Sequence, residues 1–87
     1  MRVKFRMGKQ RKFINRVISK IYSPSLRALK QYGININYST IKSYYAEIRT
    51  MPLELFENLC NLAGIDKKEL DISFLNNNYG QIKGGKR

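Results

Sequence analysis

Two stretches with a period of two, one near each end of the chain, constrain this sequence more than anything between them. In the first, Val3, Phe5 and Met7 alternate with Arg2, Lys4 and Arg6; in the second, Leu70, Ile72 and Phe74 alternate with Asp71, Ser73 and Leu75. A period of two places one set of side chains on one face of an extended segment, and a lone strand leaves its backbone N–H and C=O groups without partners. The two segments are therefore expected to pair, residues 2–7 against 70–75, in a small two-stranded sheet that ties the ends of the domain together. The competing reading of residues 1–12 is a flexible basic arm that orders only against a partner, since Lys9, Arg11 and Lys12 continue the charge past Gly8.

Between these segments the apolar period becomes that of a helix. Phe13, Ile14, Val17, Ile18, Ile21 and Tyr22 fall on one stripe, which predicts a first helix over about 10–22 with Arg16, Ser19 and Lys20 outside. Ser23-Pro24 supplies a cap and a first-turn proline for a second helix, with Leu26, Leu29 and Tyr32 inward and Arg27 and Lys30 outward. Gly33 suits the left-handed residue that ends it. Asn37 then caps a third helix over 37–48, with Ile41, Tyr44 or Tyr45, and Ile48 inward and Tyr38, Ser39, Lys42, Ser43 and either Ala46 or Glu47 outward. Thr50-Met51-Pro52 opens a fourth helix carrying Leu53, Leu55, Phe56, Leu59, Cys60, Leu62 and Ala63, and Gly64 closes it. Asp66 to Glu69 has the spacing of a capping box, so a last helical turn is expected there. The fold class is thus mainly α, four to five helices with a small two-stranded sheet.

Eighty-seven residues fit one domain, read as 1–78, with a basic, glycine-rich tail over 79–87. Charge is the unusual property: 17 Lys and Arg against 6 Asp and Glu give a net charge of +11. Residues 1–46 hold 11 of the basic side chains and no acid, while all 6 acids lie in 47–71. A polyanion partner follows, and the first half of the chain is the half that faces it. No apolar run approaches the roughly 20 residues of a membrane-spanning helix, and the N-terminus lacks the apolar core of a signal peptide. The chain is accordingly expected to be cytoplasmic and nucleoid-associated, with no membrane partner. Histidine is absent and Cys60 is the single cysteine, so no disulfide, cofactor or metal site is expected. Asp66, Glu69 and Asp71 read as a helix cap and the polar face of a strand, which leaves no nucleophile–base arrangement, no enzymatic activity and no small-molecule substrate to propose.

Two short helices joined by a tight turn, the second capped by Asn37 and followed by another helix, make a helix-turn-helix. The run from Ser25 to Ile34, then Tyr38-Ser39-Thr40-Ile41, then Pro52 to Cys60, then Gly64-Ile65-Asp66, resembles the Cro/C1-type family of phage-repressor-like DNA-binding domains over about residues 24–66. The turn is about two residues longer than the family's, through Asn35-Ile36, and the glycine that commonly follows the recognition helix is missing near Ala46-Glu47. Gly8 to Phe13 and Asn78 to Gly85 are similar to helix-turn-helix segments of archaeal LAGLIDADG homing-endonuclease-like proteins.

The first resemblance implies a transcriptional regulator that binds double-stranded DNA through a recognition helix over 37–48. By family position Tyr38, Ser39, Lys42 and Ser43 face the bases; Lys42 can donate to guanine O6 or N7 and Tyr38 can meet a thymine methyl. A phosphate contact through the Tyr38 hydroxyl and helix capping by Ser39 remain open. Ser25, Arg27, Lys30 and Arg49 are candidate phosphate anchors beside that helix, and Lys9, Arg11, Lys12 and Arg16 extend the footprint. Dimerisation as a homodimer would bring a module of this size to useful affinity. The second resemblance implies an alternative, a DNA-targeting module that acts with a nuclease domain it does not itself carry. Two further alternatives follow from the residues. Tyr38, Tyr45 and Tyr79 could stack single-stranded RNA or DNA bases, the aromatic residues Phe13, Tyr22, Tyr32, Phe56 and Phe74 being expected on buried faces, or the basic surface could meet an acidic protein.

Overall fold

Arg2–Phe5 (β1) is the central strand of an antiparallel sheet in the computed structural model, which describes residues 1–75. On one side it pairs with Ile72–Leu75 (β3) in the register Arg2 to Leu75, Val3 to Phe74, Lys4 to Ser73 and Phe5 to Ile72, the pairing that the two alternating segments require. On the other side it pairs with Met51–Pro52 (β2), Arg2 opposite Pro52 and Val3 opposite Met51. The sheet therefore has three strands, not two, and the fold is mixed α and β, with about half of the described residues helical. Thr50-Met51-Pro52 does open a helix, Pro52 standing at the N-cap position of Leu53–Ala63, but without a side-chain capping bond and as part of the sheet at the same time. Met51 is buried against β1, Thr50 accepts hydrogen bonds from the Arg2 guanidinium through both Oγ1 and its carbonyl, and the Leu53 N–H donates to the Met1 carbonyl. A proline is tolerated in β2 because the strand lies on an edge, where a missing N–H breaks no ladder.

Gly8, left-handed at φ 82°, ends the strand segment and starts α1, Lys9–Lys20. Phe13, Ile14 and Val17 are buried as their spacing predicts, and the Phe5, Phe13 and Phe56 rings meet with centroids 5.3 to 5.8 Å apart where sheet and helices join. The helix stops before Tyr22, whose φ of 58° turns its side chain out of the stripe to 89% exposure. Ser23 does not cap the next segment: its hydroxyl donates to the Ser25 carbonyl, and the Ser25 hydroxyl accepts from the Ala28 N–H. That segment is one 3₁₀ helix, Arg27–Tyr32, burying Ala28 and Leu29 and leaving Tyr32 exposed; Gly33 ends it at φ 95°.

After the Gly33-to-Asn37 turn, α2 runs Tyr38–Tyr45, several residues shorter than the expected 37–48. The Asn37 side chain makes no capping bond; its carbonyl accepts from the Thr40 and Ile41 N–H groups at the start of the helix. Ile41 and Tyr44 are buried, but Ile48 lies beyond the helix and faces solvent. Leu53–Ala63 (α3) follows β2 and is closed by Gly64. Of the expected capping box only half forms: Asp66 Oδ1 accepts from the Lys68 N–H, whereas the Glu69 carboxylate turns to Arg16. Phe74, expected on a buried face, pairs with Val3 but is 53% exposed. Tyr79 and the 79–87 tail lie outside the described residues.

Candidate nucleic-acid interface

The first turn of α2 carries an aromatic ring approached by two cations. Lys42 follows Tyr38 by one helical turn and so lies on the same side of the helix, its ammonium 5.3 Å from the ring centroid. The 3₁₀ helix, held to the core through Leu29, brings the Arg27 guanidinium to 4.2 Å from the same centroid. Each cation is attracted by the ring face, while the two repel one another. Arg27, Lys30 and Tyr38 also line one recess of about 210 Å³ between the 3₁₀ helix and α2. Four of the residues singled out from the sequence thus share one exposed, positively charged surface.

Ser39 is exposed on that surface, whereas Ser43 is half-buried and its hydroxyl donates to the Ser39 carbonyl at 3.1 Å. A serine bonded back to its own helix has spent its donor. Ser25 is likewise engaged through its Oγ, though it remains exposed.

The basic residues of α1 do not join this cluster as one group. Lys9, Lys12 and Arg16 line a separate concavity of about 250 Å³, where Arg16 pairs with Glu69 at 3.3 Å. Arg11 belongs to the far end of α2: its Nε donates to the Tyr45 carbonyl at 3.0 Å, and its guanidinium lies 5.3 Å from the Tyr45 ring centroid. A cation there complements the negative end of the helix dipole. The Tyr45 hydroxyl donates to Asn15, so this ring is packed into the α1–α2 contact. Arg49 sits apart from both clusters, in a third concavity with Lys4 and Arg6.

Two residues that position α2 were not singled out from the sequence. Gln10 is buried and its Nε2 donates to the Tyr44 carbonyl at 2.7 Å and the Arg49 carbonyl at 2.9 Å. Glu47 accepts from the Gly8 N–H through Oε1 and from the Arg11 N–H through Oε2. These bonds, first the one from Arg11 and then the one from Gly8, hold its carboxyl below the usual carboxylate range. The signal for Glu47 was present: Gly8 begins a helix with no capping side chain and a first turn without acid, so its free N–H groups require an acceptor from elsewhere. Glu47 is the first acid in the chain. Burial pushes the Cys60 thiol up, in keeping with a packing role. No helix among the described residues is long and apolar enough to cross a membrane.

Comparison of the chain with protein-family models, with curated proteins and with solved structures gives no match.

Proposed function

We propose that the protein binds double-stranded DNA as a helix-turn-helix module of Cro/C1-like design and acts as a transcriptional regulator. The observation that carries this reading is the Arg27–Tyr38–Lys42 cluster at the start of α2, a short exposed helix preceded by a 3₁₀ helix and a turn. Eight residues make α2 about 12 Å long, and a helix of this size enters a major groove with its N-terminal side chains at the base edges. Lys42 donates to guanine O6 or N7, Tyr38 meets a thymine methyl or a phosphate, and Ser39 bonds either a donor or an acceptor. Arg27 and Lys30 anchor phosphates at the groove edge, and Lys9, Arg11 and Lys12 extend the footprint.

The test is duplex binding across a salt series. Neutralising about six phosphates gives a slope of log K against log salt near −5. A slope shallower than about −2 contradicts the footprint.

The exposure of Tyr22 and Tyr32, which the sequence places in the core, favours a second reading in which bases of a single strand stack on tyrosines. Tighter binding of an unpaired oligonucleotide than of the same sequence in duplex form selects that reading.

A further inference from the structure

Four helical segments end on a left-handed residue whose successor bonds back to the last turn. In α1 that successor is Ser23, in the other three it is an isoleucine, and one of these three endings is incomplete. In each of the three the isoleucine N–H returns to the last turn: Gly33 then Ile34 to the Leu29 carbonyl, Glu47 then Ile48 to Ser43, Gly64 then Ile65 to Cys60. Such an ending ordinarily sets an apolar side chain against another on the last turn. Ile34 and Leu29 are both buried in the core, as are Ile65 and Cys60, and the two isoleucines are each 6% exposed. Ile48 has a serine as its counterpart and is 77% exposed. The local motif gives no reason for an isoleucine there.

Met7, 96% exposed, lines the same concavity as Ile48, a hollow of about 410 Å³ lined also by Phe5. The two side chains come from turns that are fastened together, since Gly8 beside Met7 donates to Glu47 beside Ile48. Lys4, Arg6 and Arg49 line the same hollow. Arg6 pairs with Asp71 at 2.6 Å on the open surface, while Lys4 and Arg49 are in no ion pair among the described residues. The lining holds one carboxylate, Glu47, and both its oxygens are taken up by backbone N–H groups.

An apolar hollow with a cationic lining selects among occupants. A second copy would bring the same cations face to face. Residues 76–87 carry three basic side chains and no acidic one, so their charge does not complement the lining. A duplex supplies the charge but no protruding apolar group for the hollow. A polypeptide segment with carboxylates around an aliphatic or aromatic side chain supplies both.

We propose that the Met7–Ile48 hollow is a docking site for an acidic segment of another protein, with one aliphatic or aromatic anchor seated between Met7 and Ile48 and carboxylates on Lys4 and Arg49. On this account Arg49 binds a carboxylate, not the phosphate expected from the sequence. The inference does not depend on DNA binding.

The test is selection of random short peptides displayed against the intact protein at near-physiological salt. Peptides that enrich should carry Asp and Glu around one Leu, Ile, Phe or Trp. A synthetic copy of one should shift the methyl NMR signals of Met7 and Ile48. Its affinity should fall about tenfold or more on Ile48→Ser, on Arg49→Ser, or when its own anchor is changed to serine. Ile48 and Arg49 are exposed, so both variants should melt as the parent does, and that melt is the control. The proposal is overturned if nothing enriches, if enriched peptides share acid but no apolar anchor, or if the shifts fall at Tyr38 instead. It is equally overturned if duplex DNA moves the Met7 and Ile48 methyls with the same sensitivity to Ile48→Ser, which gives the surface to nucleic acid. Self-association abolished by Ile48→Ser overturns it too, in favour of a second copy.

Discussion

Glu47 caps the helix that Gly8 begins, its Oε1 accepting the Gly8 N–H at 2.7 Å. The relationship joins the end of α2 to the start of α1 across a large sequence separation, and Arg11 and Gln10 reinforce it through bonds to the Tyr45, Tyr44 and Arg49 carbonyls. The candidate recognition helix is thus held at its C-terminal end by backbone-directed bonds, while its N-terminal end is left exposed to a partner.

Removing the cap should destabilise the fold by about 0.5–2 kcal/mol, the range for loss of a helix N-cap. Glu47 is itself left-handed at φ 64°, a conformation that costs a side-chain-bearing residue roughly 1–2 kcal/mol and glycine little. Glu47→Gly should therefore be less destabilised than Glu47→Ala. Urea unfolding of both variants checks this, and a Glu47→Ala protein as stable as the parent would show that the cap contributes nothing.

The same carboxyl makes stability depend on pH. Its folded value lies below the ordinary 4.5, so the stabilisation is fully present above about pH 4.5 and is lost as pH falls through the lower, folded value. The difference in stability between the parent and Glu47→Gln should narrow as the solution is acidified below pH 4.5. A difference that stays constant from neutral pH into that range contradicts the assignment.

Gln10→Leu removes a buried donor shared by two carbonyls at the end of α2. The Tyr44 carbonyl keeps the Glu47 N–H as a partner, so the loss falls on the Arg49 carbonyl, and a carbonyl left without a partner costs about 1–3 kcal/mol where water cannot reach it. The variant should unfold at markedly lower urea, whereas Lys12→Leu, at an exposed position on the same helix, should not.

Much of this arrangement was legible in the sequence. The alternation of residues 2–7 and 70–75 pointed to the central pairing, which forms over the shorter spans 2–5 and 72–75, and Gly33 and Gly64 marked two helix ends through the backbone conformation they permit. What was not legible lies where contacts distant in sequence decide. The pattern around Met51-Pro52 reads as a helix start and leads into α3, but that the same residues also form a strand depends on the edge of β1, far away in sequence. The helical spacing that reaches Ile48 is cut short at Glu47, whose carboxylate is drawn to the α1 N-terminus. Tyr22 continues an apolar stripe past the point at which the backbone has left the helix. At the candidate site, Tyr38, Ser39 and Lys42 were indicated by position alone, but the approach of Arg27 to the Tyr38 ring depends on how the 3₁₀ helix packs.

Single substitutions separate reading from anchoring. Lys42→Ala should relax preference at one position of a bound site by about 1–3 kcal/mol, while Arg27→Ala and Lys30→Ala should weaken all duplexes alike. Ser43→Ala should change little, since that hydroxyl is bonded to the Ser39 carbonyl. Tyr38→Phe should retain the stacking of Arg27 and lose only contacts made by the hydroxyl. Binding of each variant to a preferred and a scrambled duplex distinguishes the two classes of effect.

The central claim, that α2 reads base edges, is tested most directly by selecting duplexes from a random pool at near-physiological salt and sequencing those retained. The account predicts a short enriched motif whose preference is blurred by Lys42→Ala; inverted half-sites about 10 base pairs apart would identify a dimer, and a single asymmetric site a monomer. Retention of DNA without any enriched motif would contradict the claim and reduce Tyr38, Ser39 and Lys42 to part of a surface that holds only the phosphate backbone.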